Sequence, residues 1–192
     1  MTIKGDYILF FGVDWPSNFA PSPIVVQDDF WSPTLIPDHE EHHPDLITFK
    51  TAEAYYQSRK AVMAGDEGSY YKIALAPTPA ETKKIARHIK LDPKVWDNMR
   101  VKEMWHTLLL KFTQNPFLMS KLLDPELDGK KFVEASPYDC FWGAGMSERV
   151  LTREIDEKGH IEWFDFTHDV PHSLNMLGEL LGKMRDKFIQ DK

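Results

Sequence analysis

The sequence predicts an α+β fold, a single mostly helical domain with a small β-sheet, and three observations predict it. Three helix starts follow one another, each a capping residue followed by proline: Thr78-Pro79, Asp92-Pro93 and Asn115-Pro116. Two short segments, residues 7–11 and 132–135, are interpreted as strands, the first of them buried. The length of 192 residues suits one domain with a substantial core.

Composition and charge narrow the class of protein. Hydrophobic residues make up 42% and aromatic residues 12%, which argues against disorder. The net charge of −7 gives no general attraction to nucleic acid or to an anionic membrane. Cys140 is the single cysteine, so no disulfide framework is expected and a reducing compartment fits. The N-terminal apolar run is too short for a signal peptide, and no segment approaches the roughly 18 apolar residues of a membrane span. We therefore expect a soluble cytoplasmic protein without a membrane partner.

The first elements are expected to be strands separated by loops. Residues 7–11 form a buried strand that ends at Gly12, and residues 14–19, with Asn18, form a loop rich in polar side chains. Residues 24–26 and Phe30-Trp31 indicate a further strand or hairpin.

A histidine-rich segment follows at residues 37–45. The spacing of its histidines and glutamates fits no zinc signature well, so the segment is interpreted as an exposed loop and no metal site is predicted. These side chains are His39, Glu40, Glu41, His42 and His43.

The segment 49–61 is interpreted as a helix, because Phe49, Ala52, Tyr56 and Met63 fall on one stripe at 3.6 residues per turn. Glu53 and Lys60 lie at the edge of that stripe, about two turns apart. Charged groups turned towards the interior lose hydration that a partner or a ligand must replace. They form either an internal ion pair, with each other or with an arginine, or the catalytic carboxylate and amine of a pocket.

The rest of the chain is predicted to alternate helices with a strand, a rigid loop and a hairpin. Helices are expected at residues 69–75, 79–89, 94–113, 116–123 and from 174 or 175 to 188, with 94–113 as the central helix because its apolar residues surround much of the cylinder. The strand 132–135 leads into a loop of aromatics, glycines and proline at 136–145. Within this loop Asp139 is either a turn-forming residue or a second catalytic carboxylate. Residues 150–155 and 161–166 indicate a hairpin.

Six motifs in series resemble the NADAR family, also called the YbiA-like superfamily, over residues 8–188. They are Ser17-Asn18-Phe19 with Ser22-Pro23, Phe49-x3-Glu53-x-Tyr55-Tyr56-Gln57-x2-Lys60-Ala61, Trp96 with Arg100 and Met104, Lys111-Phe112-x-Gln114-Asn115, Glu134-Ala-Ser-Pro-Tyr-Asp139-x2-Trp142-Gly143-x-Gly145, and Asn175-x-Leu177-Gly178 with Met184-Arg185. The chain departs from the family in lacking the arginine of a Gly-Arg-Asn motif, since Ser173-Leu174-Asn175 stands there. Segments 38–45 and 150–166 are interpreted as insertions on the family plan.

The resemblance implies a YbiA-like α+β fold and hydrolysis of the N-glycosidic bond between a ribose carbon and a base or amine. Described members act on early riboflavin-pathway intermediates or on ADP-ribosylated guanine in nucleic acid. By the same resemblance, Glu53, Trp96 and Asp139 occupy the family's functional positions, with Lys60, Asn18 and Trp142 as pocket neighbours. The substrate-binding set that follows from the motifs is Asn18, Tyr56, Trp96, Trp142, Gly143 and Asn175.

Two chemical routes fit these residue types. Glu53 and Asp139 can supply acid and base functions while Trp96 and Trp142 hold a base. Alternatively, the amine of Lys60 attacks C1′ of the opened ribose and forms a Schiff base. Neither route requires a metal or a redox cofactor, and both require Glu53, Lys60 and Asp139 to converge on one cavity.

The expected ligand is a small ribosylated or ADP-ribosylated base. An ADP-ribosylated nucleic acid would additionally require a basic patch, for which the candidates are Lys83, Lys84, Arg87 and Lys90. The alternative from another class is a module that binds ADP-ribose or a related ligand without cleaving it. The oligomeric state does not follow from the sequence.

Overall fold

The computed structural model describes residues 1–30, 46–162 and 173–191. The strands are β1 (Thr2–Lys4), β2 (Tyr7–Phe10), β3 (Pro21–Gln27), β4 (Leu46–Thr51) and β5 (Lys131–Glu134). The helices are α1 (Ala52–Ala64), α2 (Glu67–Leu75), α3 (Pro79–Ala86), α4 (Pro93–Gln114), α5 (Pro116–Leu122), α6 (Glu148–Lys158) and α7 (Met176–Gln190). A 3₁₀ turn, Pro125–Leu127, precedes β5. The mostly helical α+β class predicted from the sequence is confirmed.

The chain forms two compact units. The terminal unit comprises Met1–Ala20 and Phe117–Lys192, and the central unit comprises Pro21–Pro116. Each has its own sheet and its own hydrophobic cluster.

The sheet of the terminal unit has the strand order β1-β2-β5. Strands β1 and β2 are antiparallel, whereas β2 and β5 are parallel, with Tyr7 opposite Lys131 and Phe10 opposite Glu134. All four residues of β2 are buried, as expected for the middle strand of a covered sheet. Helix α7 packs on β5, and Leu9, Val133, Leu151 and Ile155 belong to the same core cluster.

The central unit is built on the antiparallel pair of β3 and β4, against which α1, α2 and α4 pack. Its core is aromatic: the rings of Phe49 and Tyr70 lie 5.6 Å apart in an edge-to-face arrangement, and Phe49 meets Tyr55 in the same way. The free edge of β3 is closed by the side-chain amide of Gln114, which accepts from Val25 N at 2.7 Å and donates to Val25 O at 2.9 Å.

The three predicted helix starts are confirmed, and for α3 and α4 the structure shows the side-chain cap as well. Thr78 Oγ1 accepts a hydrogen bond from Glu81 N at 3.2 Å, and Asp92 Oδ1 accepts one from Lys94 N at 2.9 Å. Helix α5 begins at Pro116 directly after Asn115. Strands β2 and β5 and the last helix are confirmed within one or two residues at their ends, and the predicted strand at residues 24–26 lies inside β3.

Three sequence-based predictions are wrong. Phe49 lies in β4, and the helix begins only at Ala52, after the cap Thr51. Residues 150–155 are helical within α6, so the predicted hairpin does not form. Helix α4 buries one face of its second half, from Glu103 to Phe112, instead of being apolar around its axis.

The remaining part of the hairpin prediction and the histidine-rich loop fall on residues 163–166 and 37–45. Both stretches lie outside the described residues. Within the described ranges, no helix is both long and apolar enough to traverse a lipid bilayer.

Candidate functional site

Glu53 lies in the first turn of α1, where the backbone is fixed from two sides. Thr51 Oγ1 accepts a hydrogen bond from Ala54 N at 3.2 Å, and Ser22 Oγ on β3 accepts one from Ala52 N at 3.0 Å. The side chain of Glu53 is only 5% exposed, and its Oε1 accepts a hydrogen bond from Gln57 Nε2 at 2.8 Å. A carboxylate in the first turn is also favoured by the positive end of the helix dipole.

Lys60, Trp96 and Tyr56 form a second contact group beside Glu53. The Nζ atom of Lys60 lies 4.8 Å from the centroid of the Trp96 ring, a distance typical of a cation–π contact. The rings of Trp96 and Tyr56 lie 5.1 Å apart. Helices α1 and α4 therefore bring together four residues that the sequence nominated separately.

The pKa of the Lys60 amine is below its ordinary value, because burial disfavours the charged form. The carboxylate of Glu53 opposes this shift, and the ammonium of Lys83 on α3 adds to it. Among the described residues Lys60 forms no salt bridge, so it does not make the close ion pair with Glu53 that the sequence left open. A half-buried amine with a lowered pKa is closer to the neutral, nucleophilic form than an exposed lysine.

The arginine of α1 has another role. Arg59 Nη1 lies 2.7 Å from Asp29 Oδ2, and Arg59 Nε lies 3.1 Å from Glu103 Oε2 on α4. Tyr71 OH donates to Asp28 Oδ2 at 2.8 Å. These bonds fasten the end of the β3 segment to α1, α2 and α4, so Arg59 is a structural residue of the central unit.

The other nominated residues belong to the terminal unit. Because β2 and β5 run parallel, the loops that follow them leave the sheet at the same edge. One loop, residues 11–20, carries Asn18, which is 5% exposed. The other, residues 135–145, carries Asp139, Trp142 and Gly143. The parallel pairing therefore places both groups of predicted substrate-binding residues at one edge of this unit.

Asp139 shapes its own loop. Its Oδ1 accepts hydrogen bonds from Phe141 N at 3.0 Å and Trp142 N at 2.8 Å, while its carbonyl oxygen accepts one from Gly145 N at 3.2 Å. This is the turn-forming arrangement weighed from the sequence, and it leaves Oδ2 for other contacts. The side chain of Asp139 is half-buried.

Gly143 has a steric reason to be glycine. A Cβ atom there would lie 2.8 Å from Ser136 Cβ and 3.0 Å from the carbonyl oxygens of Glu134 and Asp139. The loop closes on itself at this point, so Gly143 supports the conformation that carries Asp139 and Trp142.

The start of α7 holds this loop from the other side. Backbone N–H groups of Leu174, Met176 and Leu177 donate to the carbonyls of residues 140, 141 and 142 at 2.8 to 3.1 Å. The side chain of Asn175 completes the edge of β5: its Oδ1 accepts from Glu134 N at 3.0 Å and its Nδ2 donates to Phe132 O at 2.8 Å. Asn175 is 3% exposed, so its amide serves the strand edge.

Two residues near the site were not nominated for it by sequence reasoning. Gln57 stood within a motif, but its bond to Glu53 was not foreseen, although the i, i+4 spacing on a helix was a usable signal. Lys83 was considered only as a surface cation, and the structure places it within electrostatic range of Lys60. That proximity depends on how α3 packs on α1.

Comparison with known proteins adds an independent finding. The sequence model of the NADAR domain matches residues 13–189. An N-glycosidase of Acanthamoeba polyphaga mimivirus is 29% identical over 94% of this chain and 95% of its own length. An N-glycosidase of Nostoc punctiforme is 30% identical over 70% of this chain and 74% of its own length.

A chloroplastic riboflavin biosynthesis protein of Zea mays, PYRR, is 31% identical over 70% of this chain, although the match covers only 20% of that longer protein. The NMR structure of the E. coli protein YbiA superposes with a TM-score of 0.63 at 22% identity, covering 99% of this chain and 89% of that one. The structural likeness supports the fold that the sequence motifs implied.

Proposed function

The chain belongs to the NADAR family, and from this premise we propose that it is an N-glycoside hydrolase that cleaves the bond between ribose C1′ and a base or amine. Two relatives that match over most of their length carry the name N-glycosidase. The observation that carries the proposal is the group on α1 and α4: a buried carboxylate, Glu53, next to an amine of lowered pKa, Lys60, that lies over the indole of Trp96.

The chemistry of an N-glycoside fits this group. Positive charge develops at C1′ and negative charge develops on the departing base in the transition state. A carboxylate stabilises the first, a proton donor serves the second, and an aromatic face holds the flat base. Within this group we assign the carboxylate to Glu53 and the aromatic face to Trp96. The role of Asp139 as a second acid–base group is proposed from the family resemblance alone.

Lys60 supports a covalent variant of the same reaction. Its neutral amine attacks C1′, the bonds from C1′ to the base and from C1′ to the ring oxygen O4′ break, and the two amine protons pass to the base and to O4′. The resulting imine is hydrolysed by water, which returns the amine and releases the sugar as its aldehyde. Borohydride added during turnover reduces the imine to a stable secondary amine. Mass spectrometry then finds the sugar adduct on Lys60 if this variant operates, and absence of any adduct removes it in favour of direct attack by water.

Two substrate classes remain in the proposal: ADP-ribosylated guanine, in nucleic acid or as a nucleotide, and ribosylamino-pyrimidine phosphates of the riboflavin pathway. Both carry phosphate, and Lys83 beside Lys60 provides a cation for an anionic substrate. Lys84, Arg87 and Lys90 are exposed, as a longer nucleic-acid contact would require. The match to the maize riboflavin biosynthesis protein favours the second class.

The test is incubation of the purified protein with each substrate class, followed by chromatographic assay of free base and free sugar. Release of base from one class with Michaelis–Menten saturation supports the proposal and selects the substrate. The rival is a module that binds ADP-ribose without cleaving it, and it predicts calorimetric binding of ADP-ribose with no release of base from any substrate. The second outcome would replace the hydrolase by the binding module.

A further inference from the structure

Gln57 stands between Glu53 and Lys60 on α1, four residues after the carboxylate and three before the amine. Residues at these spacings lie on the same side of a helix. The side chain is 6% exposed. A neutral amide therefore lies between Glu53 and Lys60, the two residues of α1 that have chemical roles in the proposed function.

The orientation of this amide is set by its neighbour. An ionised carboxylate accepts hydrogen bonds and donates none. Since Glu53 Oε1 lies 2.8 Å from the Gln57 amide, the Nε2 atom must face Glu53, and the carbonyl Oε1 must face away from it.

That carbonyl oxygen is buried and has no hydrogen-bond partner among residues 1–30, 46–162 and 173–191. Lys60, one turn further along α1, directs its Nζ atom over the ring of Trp96 instead. Leaving a buried acceptor unpaired is costly, and native structures avoid it unless a ligand or a water supplies the donor. The neighbouring Ser58 shows the ordinary arrangement, since its hydroxyl is 0% exposed and donates to Tyr55 O at 2.7 Å.

We propose that Gln57 is a substrate-contacting residue whose carbonyl oxygen accepts a hydrogen bond from the ribose 2′-hydroxyl, while its N–H group holds Glu53. The inference rests on the proposed function, because it takes Glu53 as the carboxylate at C1′. The hydroxyl next to C1′ is then the neutral donor closest to the reacting carbon. Hydrogen bonds to this hydroxyl strengthen as positive charge develops on the sugar ring.

The experiment compares kcat/KM for the ribosylated substrate and for its 2′-deoxy analogue in wild type, Gln57→Met, Gln57→Glu and Ser58→Ala. Methionine keeps the length of glutamine and removes both polar atoms. Glutamate keeps an acceptor oxygen. Ser58→Ala is the matched control, since it removes a buried polar atom of the same helix that is already paired.

The ribo-to-deoxy ratio of kcat/KM in wild type and in S58A is expected to be about tenfold higher than in Q57M, the loss typical of one unmade hydrogen bond. The ratio is compared between variants because removing the 2′-hydroxyl by itself makes an N-glycosidic bond easier to break. In Q57M activity on both substrates also drops because Glu53 loses its donor. In Q57E the overall activity falls but the ratio is retained.

An unchanged ratio in folded Q57M would overturn the inference. That outcome would assign Oε1 to a water and leave Gln57 acting only through Glu53. Failure of wild type to cleave either substrate would instead overturn the proposed function itself.

Discussion

The Nζ atom of Lys60 lies 4.8 Å from the centroid of the Trp96 ring, so the amine on α1 and the aromatic face on α4 meet although 36 positions separate them in the sequence. The indole covers one side of the amine, and burial lowers its pKa, with Glu53 opposing and Lys83 reinforcing the shift. The protonation of Lys60 therefore responds to charges on two helices, Glu53 on α1 and Lys83 on α3. This dependence leads to the first prediction.

Replacing Lys83 by glutamine should raise the pKa of Lys60, because a nearby positive charge that disfavours a second ammonium is removed. The fraction of neutral amine at a given pH should fall, and borohydride trapping should require a higher pH. Titration of the Lys60 side chain by NMR of ¹³Cε-labelled lysine measures the shift directly. The control is Lys84→Gln, which removes an exposed charge from the same helix and should leave the pKa of Lys60 unchanged. If the pKa of Lys60 falls or stays constant in K83Q, this coupling is contradicted.

The two glycines of α7 should respond differently to alanine. A Cβ at Gly178 would lie 2.1 Å from Phe132 O, whereas a Cβ at Gly182 would meet nothing within 4 Å. We expect Gly178→Ala to destabilise the fold by about 1–3 kcal/mol, because α7 must move off β5. Gly182→Ala should be neutral or stabilising by about 0.5–1 kcal/mol, as alanine favours the helix. Urea unfolding of both variants measures the difference, and equal stabilities would show that α7 does not pack closely on β5.

We expect the side-chain amide of Asn175 to stabilise the fold, because it completes the hydrogen bonding at the edge of β5. Asn175→Ala leaves Glu134 N and Phe132 O without the side-chain partners that they have at 3.0 and 2.8 Å, at a cost of about 1–3 kcal/mol. The loop that carries Asp139 follows directly, so kcat should fall more than KM rises. Gln114→Ala is the matched control, because Gln114 closes the edge of β3 in the same manner but supports no such loop. Equal loss of kcat in both variants would assign the effect to general destabilisation.

We expect the free energy of unfolding to depend on pH because of Lys111. Its side chain is 0% exposed, and burial lowers its pKa to about 7. The unfolded chain holds this proton up to about pH 10.4, so between these two values the unfolded state binds more protons than the folded state. Raising the pH through this window should therefore stabilise the fold by up to about 1.4 kcal/mol per pH unit.

The measurement for Lys111 is urea unfolding of wild type and Lys111→Met at pH 7 and at pH 9. The stability of wild type should rise relative to the variant between these pH values. Lys102→Met, which replaces an exposed lysine of the same helix, is the control. A constant difference between wild type and K111M would show that Lys111 is charged in the folded protein throughout this range.

Local signals predicted most of the fold. Proline after a capping residue fixes where a helix begins, and α3, α4 and α5 begin where those pairs stand. The wrong predictions concern segments whose buried residues fit both the helical spacing of 3.6 residues and the strand spacing of two. Phe49, Ala52 and Tyr56 fit a helical stripe, but Phe49 and Thr51 are the buried alternate positions of β4. In α6 the buried residues Leu151, Glu154 and Ile155 have helical spacing, and Gly159 in the left-handed region ends the helix.

The candidate site, too, was predictable from the sequence only in part. The spacing of Glu53, Gln57 and Lys60 is local to one helix, so the sequence could place them together. The contacts of Lys60 with Trp96 and Lys83 depend on how α4 and α3 pack on α1, which no periodicity specifies. The resemblance to NADAR proteins nominated Trp96, whereas the position of Lys83 near Lys60 follows only from the folded structure.

The central claim is that Glu53 takes part in cleaving an N-glycosidic bond, and the most direct measurement is base release by wild type, Glu53→Gln and Glu103→Gln in parallel. Both glutamates are buried, at 5% and 7% exposure, but Glu103 pairs with Arg59 in the interior. We predict that E53Q loses about 10²- to 10⁴-fold in kcat while remaining folded, and that E103Q loses stability but keeps its kcat. Base release by E53Q at the wild-type rate would contradict the account.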